Sequence, residues 1–237
     1  MENISSFMSS DTSTLDPAWK IGLRGARANF LPGIVLWVVS LTVVLAYYYH
    51  APTRALLEQL AVFKARTGFL YSFVATSVFG GLLPFLYLRA DPASRNRYAW
   101  SHLWFFLVFW GYKGVEVDLF YRAQALLFGS TVNMRTVLSK MIFDMFFFCP
   151  IYAIPVTVLA YASRSEGLRR VLQRAWQRPG FYAREILPPM IANSGLWIPA
   201  VCLIYALPLP LQIPLFNLVL CFSTLLFSYV TAHVRRT

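Results

Sequence analysis

A chain of 237 residues that is 58% hydrophobic and only 13% charged does not supply the polar surface that a water-soluble domain of this size requires. Its aromatic share of 17%, with 20 Phe, 13 Tyr and 7 Trp, suits the boundary between hydrocarbon and headgroups. The net charge of +11 comes from Lys and Arg that stand mainly at the ends of apolar runs, which marks them as topology determinants and anionic-lipid contacts rather than a nucleic-acid surface.

Residues 1–16 are polar and include Glu2 and Asp11, so they match neither a secretory signal nor an acid-poor transit peptide. Asp16-Pro17 reads as an N-cap followed by Pro at the first helical position. It opens a basic amphipathic segment with Trp19, Lys20, Ile21, Leu23, Arg24 and Arg27, expected to lie along the membrane surface.

A helical crossing needs about 20 apolar residues at ~1.5 Å rise each. Six stretches meet this: residues 30–49, 68–88, 99–128 (interrupted by polar residues), 137–161, 189–207 and 211–233. The expected fold is therefore all-α: a polytopic helical membrane bundle of about six transmembrane helices with amphipathic interfacial helices. The connector 53–66 carries Leu56, Leu57, Leu60 and Phe63 at helical spacing. The connector 163–184 sets Leu168, Val171, Leu172 and Trp176 beside Arg169, Arg170, Arg174 and Arg178, the four arginines expected to hold anionic lipid such as cardiolipin.

Charge asymmetry supports six crossings. With both termini on one side, that side holds 14 Lys and Arg (at 20, 24, 27, 89, 95, 97, 164, 169, 170, 174, 178, 184, 235 and 236). The other holds 5: Arg54, Lys64, Arg66, Arg135 and Lys140. Five crossings would divide the arginine clusters between the two faces.

The third stretch contains Lys113, Glu116, Asp118 and Arg122, each costing about 2.5 to 3.5 kcal/mol at mid-membrane. Lys113 and Glu116 are i,i+3 and Asp118 and Arg122 are i,i+4, so each pair can close on one helix face and the four charges cancel. Lys140 and Asp144 form a further i,i+4 pair. The two readings are internal salt bridges that lock helices together and a polar pathway for ions or small solutes.

Chemistry-bearing constellations are otherwise sparse. His50, His102 and His233 fall near span ends, and Cys149, Cys202 and Cys221 are scattered through apolar runs, so no metal, haem or disulfide framework is expected. No Ser, His and Asp grouping suggests a nucleophile, and the chain is expected not to be an enzyme. Gly80-Gly81, Gly111 and Gly114 read as close helix contacts or bends. Pro199, Pro208, Pro210 and Pro214 frame the last turn.

From Phe63 onward a series of motifs stands in a fixed order: Phe120-Tyr121-Arg122, Phe128-Gly129-Ser130-Thr131, the run from Val137 through Lys140 to Asp144, Cys149-Pro150, then Leu196-Trp197-Ile198-Pro199 and Pro210-Leu211-Gln212. This order resembles the twenty-two-kilodalton peroxisomal membrane protein family, also called the Mpv-seventeen family. The resemblance implies a small multi-pass protein of the inner mitochondrial or peroxisomal membrane, and a nonselective pore as one activity. It divides the chain into an N-terminal extension, 1–61, with one added span, and a family-like membrane domain, 62–237. Departures fall on the family's polar positions: its Gly-Asp stands here as Gly80-Gly81, its Asp-Gln as Asp144-Met145, the Gln after its Trp-Pro as Cys202, and its late Arg as Pro214.

These losses favour a structural role over a pore. The first expectation is a noncatalytic accessory subunit of a mitochondrial inner-membrane energy-transducing complex, a respiratory complex or ATP synthase, with membrane lipids and other membrane subunits as partners and no cofactor. The alternative is a free-standing nonselective small-solute channel of the inner mitochondrial or peroxisomal membrane.

Overall fold

The computed structural model describes residues 17–92 and 95–234, but not the side chains at 32, 97 and 226–234. The expectations for residues 1–16, for the Asp16 cap and for Arg235 and Arg236 lie outside the described residues.

The described residues fold as helices, with no strand among them. In chain order they are α1 (Ala18–Ala28), α2 (Phe30–Tyr49), α3 (Ala51–Thr67), α4 (Phe69–Ala90), α5 (Leu103–Phe128), α6 (Met134–Glu166), α7 (Leu168–Gln177), α8 (Tyr182–Tyr205) and α9 (Leu209–Val234). Short 3-10 turns, Arg95–Arg97 and Trp100–His102, lead into α5. Local chemistry sets the breaks. Gly68, Gly129, Gly167 and Gly180 adopt positive φ of 58°, 91°, 86° and 79°, and the first three stand directly after α3, α5 and α6. His50 caps α3 by accepting from the Thr53 amide, and Pro52 occupies a position in its first turn where no amide partner is needed.

α4, α6 and α8 are long and apolar enough to cross a membrane, and α1 with the rest of α2 from Gly33 makes a fourth candidate if the two are counted as one broken span. α5 has 26 residues, enough length, but carries the four charges. α9 has a shorter apolar portion, Leu209–Leu225. Each long apolar helix contains π-helical turns beside proline: Ser77–Leu82 before Pro84, Asp144–Ala153 around Pro150 and before Pro155, and Tyr182–Ile186 before Pro188 and Pro189. A proline lacks the amide that would continue the ladder, and a widened turn re-pairs the carbonyls it leaves.

Two compact units emerge, interleaved along the sequence. One takes its described residues from Met1–Leu31 and Ile142–Ile198, the other from Pro32–Met141 and Pro199–Thr237. In the first, Gly22 and Gly25 of α1 bring its backbone against α8, where an added Cβ would lie 2.7 Å from Ile191 and 2.8 Å from Ala192. The Asn29 amide after α1 donates to the Ala192 carbonyl at 3.4 Å. The expected surface segment is thus also a helix packed on α8 through its glycines. In the second unit α4 packs along α5, and α9 packs against both and against α3.

The second unit has an apolar core that includes Phe85, Phe106, Phe109 and Val117, but reverses the usual polarity at other positions: Ser40, Lys64, Ser72, Thr76, Gln124 and Asn217 are buried, whereas Val35, Val38, Leu70, Leu126 and Leu127 are more than half exposed. α3 shows the reversal within one helix: Lys64 is 2% exposed while Leu56 and Phe63, two of the four residues expected to form its apolar stripe, are 65% and 55% exposed. An apolar stripe facing outward is what an oil-like solvent favours.

Candidate functional site

The site is a cluster of ionised and polar side chains inside the second unit, organised on α5. Gly111 and Gly114 let α4 approach this helix closely: a Cβ on Gly111 would meet Ser77 and Phe73, and one on Gly114 would fall on the Ser72 carbonyl. On α4, Gly81 returns the fit, since a Cβ there would lie 2.8 Å from the Phe106 carbonyl oxygen. The close approach carries the Ser72 hydroxyl to α5.

Asp118 is the hub. Its Oδ2 accepts from Lys64 Nζ at 2.5 Å and from Ser72 Oγ at 2.6 Å, and its Oδ1 accepts from Arg122 Nε at 3.1 Å. The carboxylate therefore meets donors from α3, α4 and its own helix, α5. The Asp118 and Lys64 side chains are 4% and 3% exposed, but Arg122 is 43% exposed and lays its guanidinium 4.8 Å from the Phe69 ring centroid. Lys64 Nζ also lies 3.5 Å from the Gly68 carbonyl, so the ammonium closes the C-terminus of its own helix, where the helix dipole favours a cation.

Lys113 and Glu116 form a second ion pair, both side chains 7% exposed. Further along α5, Gln124 is fully buried and donates to the Lys140 carbonyl at 3.3 Å. Lys140 Nζ sits 5.9 Å from the Tyr205 ring centroid. Thr76 Oγ1 donates to Asn217 Oδ1 at 2.7 Å, tying α4 to α9 inside the core. Gln124 Oε1, Gln212 Oε1 and Asn217 Nδ2 are buried and unpartnered.

The structure therefore brings together Lys113 with Glu116 and Asp118 with Arg122. Lys140 stands in the α-helical first part of α6 and Asp144 opens its π-helical turns. Asp144 Oδ1 accepts from the Cys149 thiol at 3.4 Å. Two residues placed among the topology determinants, Lys64 and Lys140, are buried at 2% and 3% exposure, which leaves Arg54, Arg66 and Arg135 of that face. The part played by Ser72, Thr76, Gln124 and Asn217 was not read from the sequence. For Lys64 a signal existed: it extends the row Leu57, Leu60, Ala61 at helical spacing, and that row, not Leu56 and Phe63, turns inward.

The four arginines expected to hold lipid separate into two groups. Arg174 is committed within the first unit, donating to Glu166 at 2.9 Å and to Glu185 at 3.0 Å. Arg169, Arg170 and Arg178 are exposed. Among the described residues no three His, Cys, Asp or Glu side chains converge as a metal site requires.

No protein-family model, no curated protein and no solved structure matches this chain.

Proposed function

We propose that this chain is a noncatalytic, six-span accessory subunit of an energy-transducing complex of the mitochondrial inner membrane, a respiratory complex or ATP synthase. The observation that carries the reading is the saturation of Asp118: three donors surround one buried carboxylate, so the most deeply placed charges are consumed in joining helices. Apolar side chains exposed along α2, α4 and α6 support a surface covered by lipid and by neighbouring subunits. The excess of arginine on one face and the Mpv-seventeen resemblance support the mitochondrial inner membrane, with the basic face toward the matrix.

Gentle solubilisation followed by native electrophoresis and mass spectrometry tests the proposal. Migration in a large assembly with a fixed set of partners is expected; migration as a monomer or small homo-oligomer overturns it.

A second reading, a nonselective small-solute channel of the inner mitochondrial or peroxisomal membrane, draws on the buried unpartnered atoms Gln124 Oε1, Gln212 Oε1 and Asn217 Nδ2. Unsatisfied polar groups inside a bundle are what a hydrated path would line. Conductance of the purified chain in planar bilayers, abolished by Lys140→Ala, would establish that reading in place of the first.

A further inference from the structure

We infer that α7 is an anionic-phospholipid-binding helix lying in the headgroup layer, with Leu168, Leu172 and Trp176 inserted and Arg169 as its phosphate-contacting arginine. The inference rests on the membrane-subunit reading above.

Its place in the chain comes first. α7 stands between Glu166, the last residue of α6, and Tyr182, the first of α8, and both flanking helices are long and apolar enough to cross a membrane. A helix of 10 residues held between the ends of two crossings lies at the level of the headgroups. Arg174 secures it there, gripped by Glu166 from the end of α6 and by Glu185 from the start of α8.

The helix has two apolar edges with different fates. Val171 is fully buried against the unit. Leu168, Leu172 and Trp176 are 61%, 48% and 93% exposed. Leu172 and Trp176 line a shallow open depression with Ala175, Gln173 and Gln177. An indole almost wholly exposed beside leucines on a highly basic helix matches the composition that seats amphipathic helices in anionic interfaces.

Helical geometry then separates the arginines. At about 100° per residue, Arg169 projects about 20° from Trp176, on the flank of the exposed apolar edge, whereas Arg170 projects about 120° from it, toward water. Arg174 is neutralised by its two carboxylates. A phosphate bound beside the inserted edge is therefore met by Arg169, with its planar, bidentate donors.

The full chain reconstituted in vesicles of phosphatidylcholine and phosphatidylglycerol tests this. The Trp176 signal, taken as the difference between wild type and Trp176→Phe, is expected to be quenched by lipid brominated near the headgroup end of the acyl chain and shielded from aqueous acrylamide. In native mass spectrometry from mixed lipid, Arg169→Gln is expected to lower retained phosphatidylglycerol relative to phosphatidylcholine about five-fold, the effect of one basic residue near an anionic surface. Arg169→Lys, which keeps the charge and loses the bidentate fork, should restore only part of it, and Arg170→Gln should change it less than two-fold. Trp176 open to acrylamide, or Arg170→Gln equal to Arg169→Gln, overturns the inference while a chain that still floats with the vesicles leaves the membrane-subunit reading standing. A chain that does not float refutes both.

Discussion

Replacing Asp118 with Asn tests whether the buried cluster holds the second unit together. The substitution keeps shape and removes the charge. It leaves the Lys64 ammonium, 3% exposed, without its counter-ion and offers one acceptor oxygen to three donors. Removing one partner of a buried ion pair costs about 3 to 5 kcal/mol, because the remaining charge stays desolvated and unpaired. The pair should behave as a coupled unit: Lys64→Met alone leaves Asp118 with Ser72 and Arg122 and should cost less, and Lys64→Met combined with Asp118→Asn should recover about 2 kcal/mol or more of the single Asp118 loss. The measurement is unfolding of the purified protein in mixed micelles by titration with a denaturing detergent, for the two single variants and the double. An Asp118→Asn variant within about 0.5 kcal/mol of wild type, or strictly additive single variants, would refute the hub role of Asp118.

Three further outcomes follow from the same geometry. Arg122→Ala should cost about 0 to 1 kcal/mol in the same titration, since this arm of the cluster is 43% exposed and solvent screens it. Gly114→Ala should destabilise by more than the ~1 kcal/mol that Ala gains over Gly in helix propensity, because its Cβ would collide with the Ser72 carbonyl; a neutral result would mean that α4 and α5 are less closely apposed. Arg174→Ala should release α7 from Glu166 and Glu185, read as faster limited proteolysis at the loop around Gly167 than in Arg169→Ala.

Six of the helices were legible because their signals are local, although only α4, α6 and α8, with α1 and α2 as a broken fourth, are long and apolar enough to cross a membrane. α2 occupies residues 30–49 as hydropathy alone suggests, and the other five helices differ from the expected stretches at their edges. The in-helix pairs Lys113–Glu116 and Asp118–Arg122 were legible for the same reason, since a helix fixes neighbours at three and four residues. The partner of Lys64 was not: Asp118 is 54 residues away, and only the fold of α3 against α5 joins them. The row that holds Leu56 and Phe63 was legible as one face of a helix, whereas its surroundings were not, since periodicity identifies a face without saying what it meets. Arg174 was grouped with its neighbours because Glu166 and Glu185 lie 8 and 11 residues away, beyond any spacing rule for one helix.

The burial of Lys64 leaves an excess of positive charge that the fold must place somewhere. The four charges of α5 cancel among themselves, so a fifth group raises the cluster to three cations against two carboxylates. An uncompensated charge is least costly where it reaches a boundary, and the fold assigns that position to Arg122, the most exposed member. Its guanidinium is delocalised and weakly hydrated, and it rests on Phe69, the first residue of α4, so the excess charge meets a π face instead of bare hydrocarbon. Lys64, a compact and strongly hydrated ammonium, takes the saturated interior seat against Asp118 Oδ2. Exchanging the two types, with Arg at 64 and Lys at 122, would place the larger group where two oxygens and a serine already fill the space. It would also put the ammonium where no tight pairing shields it, so order as well as composition of these charges specifies how α3, α4 and α5 come together.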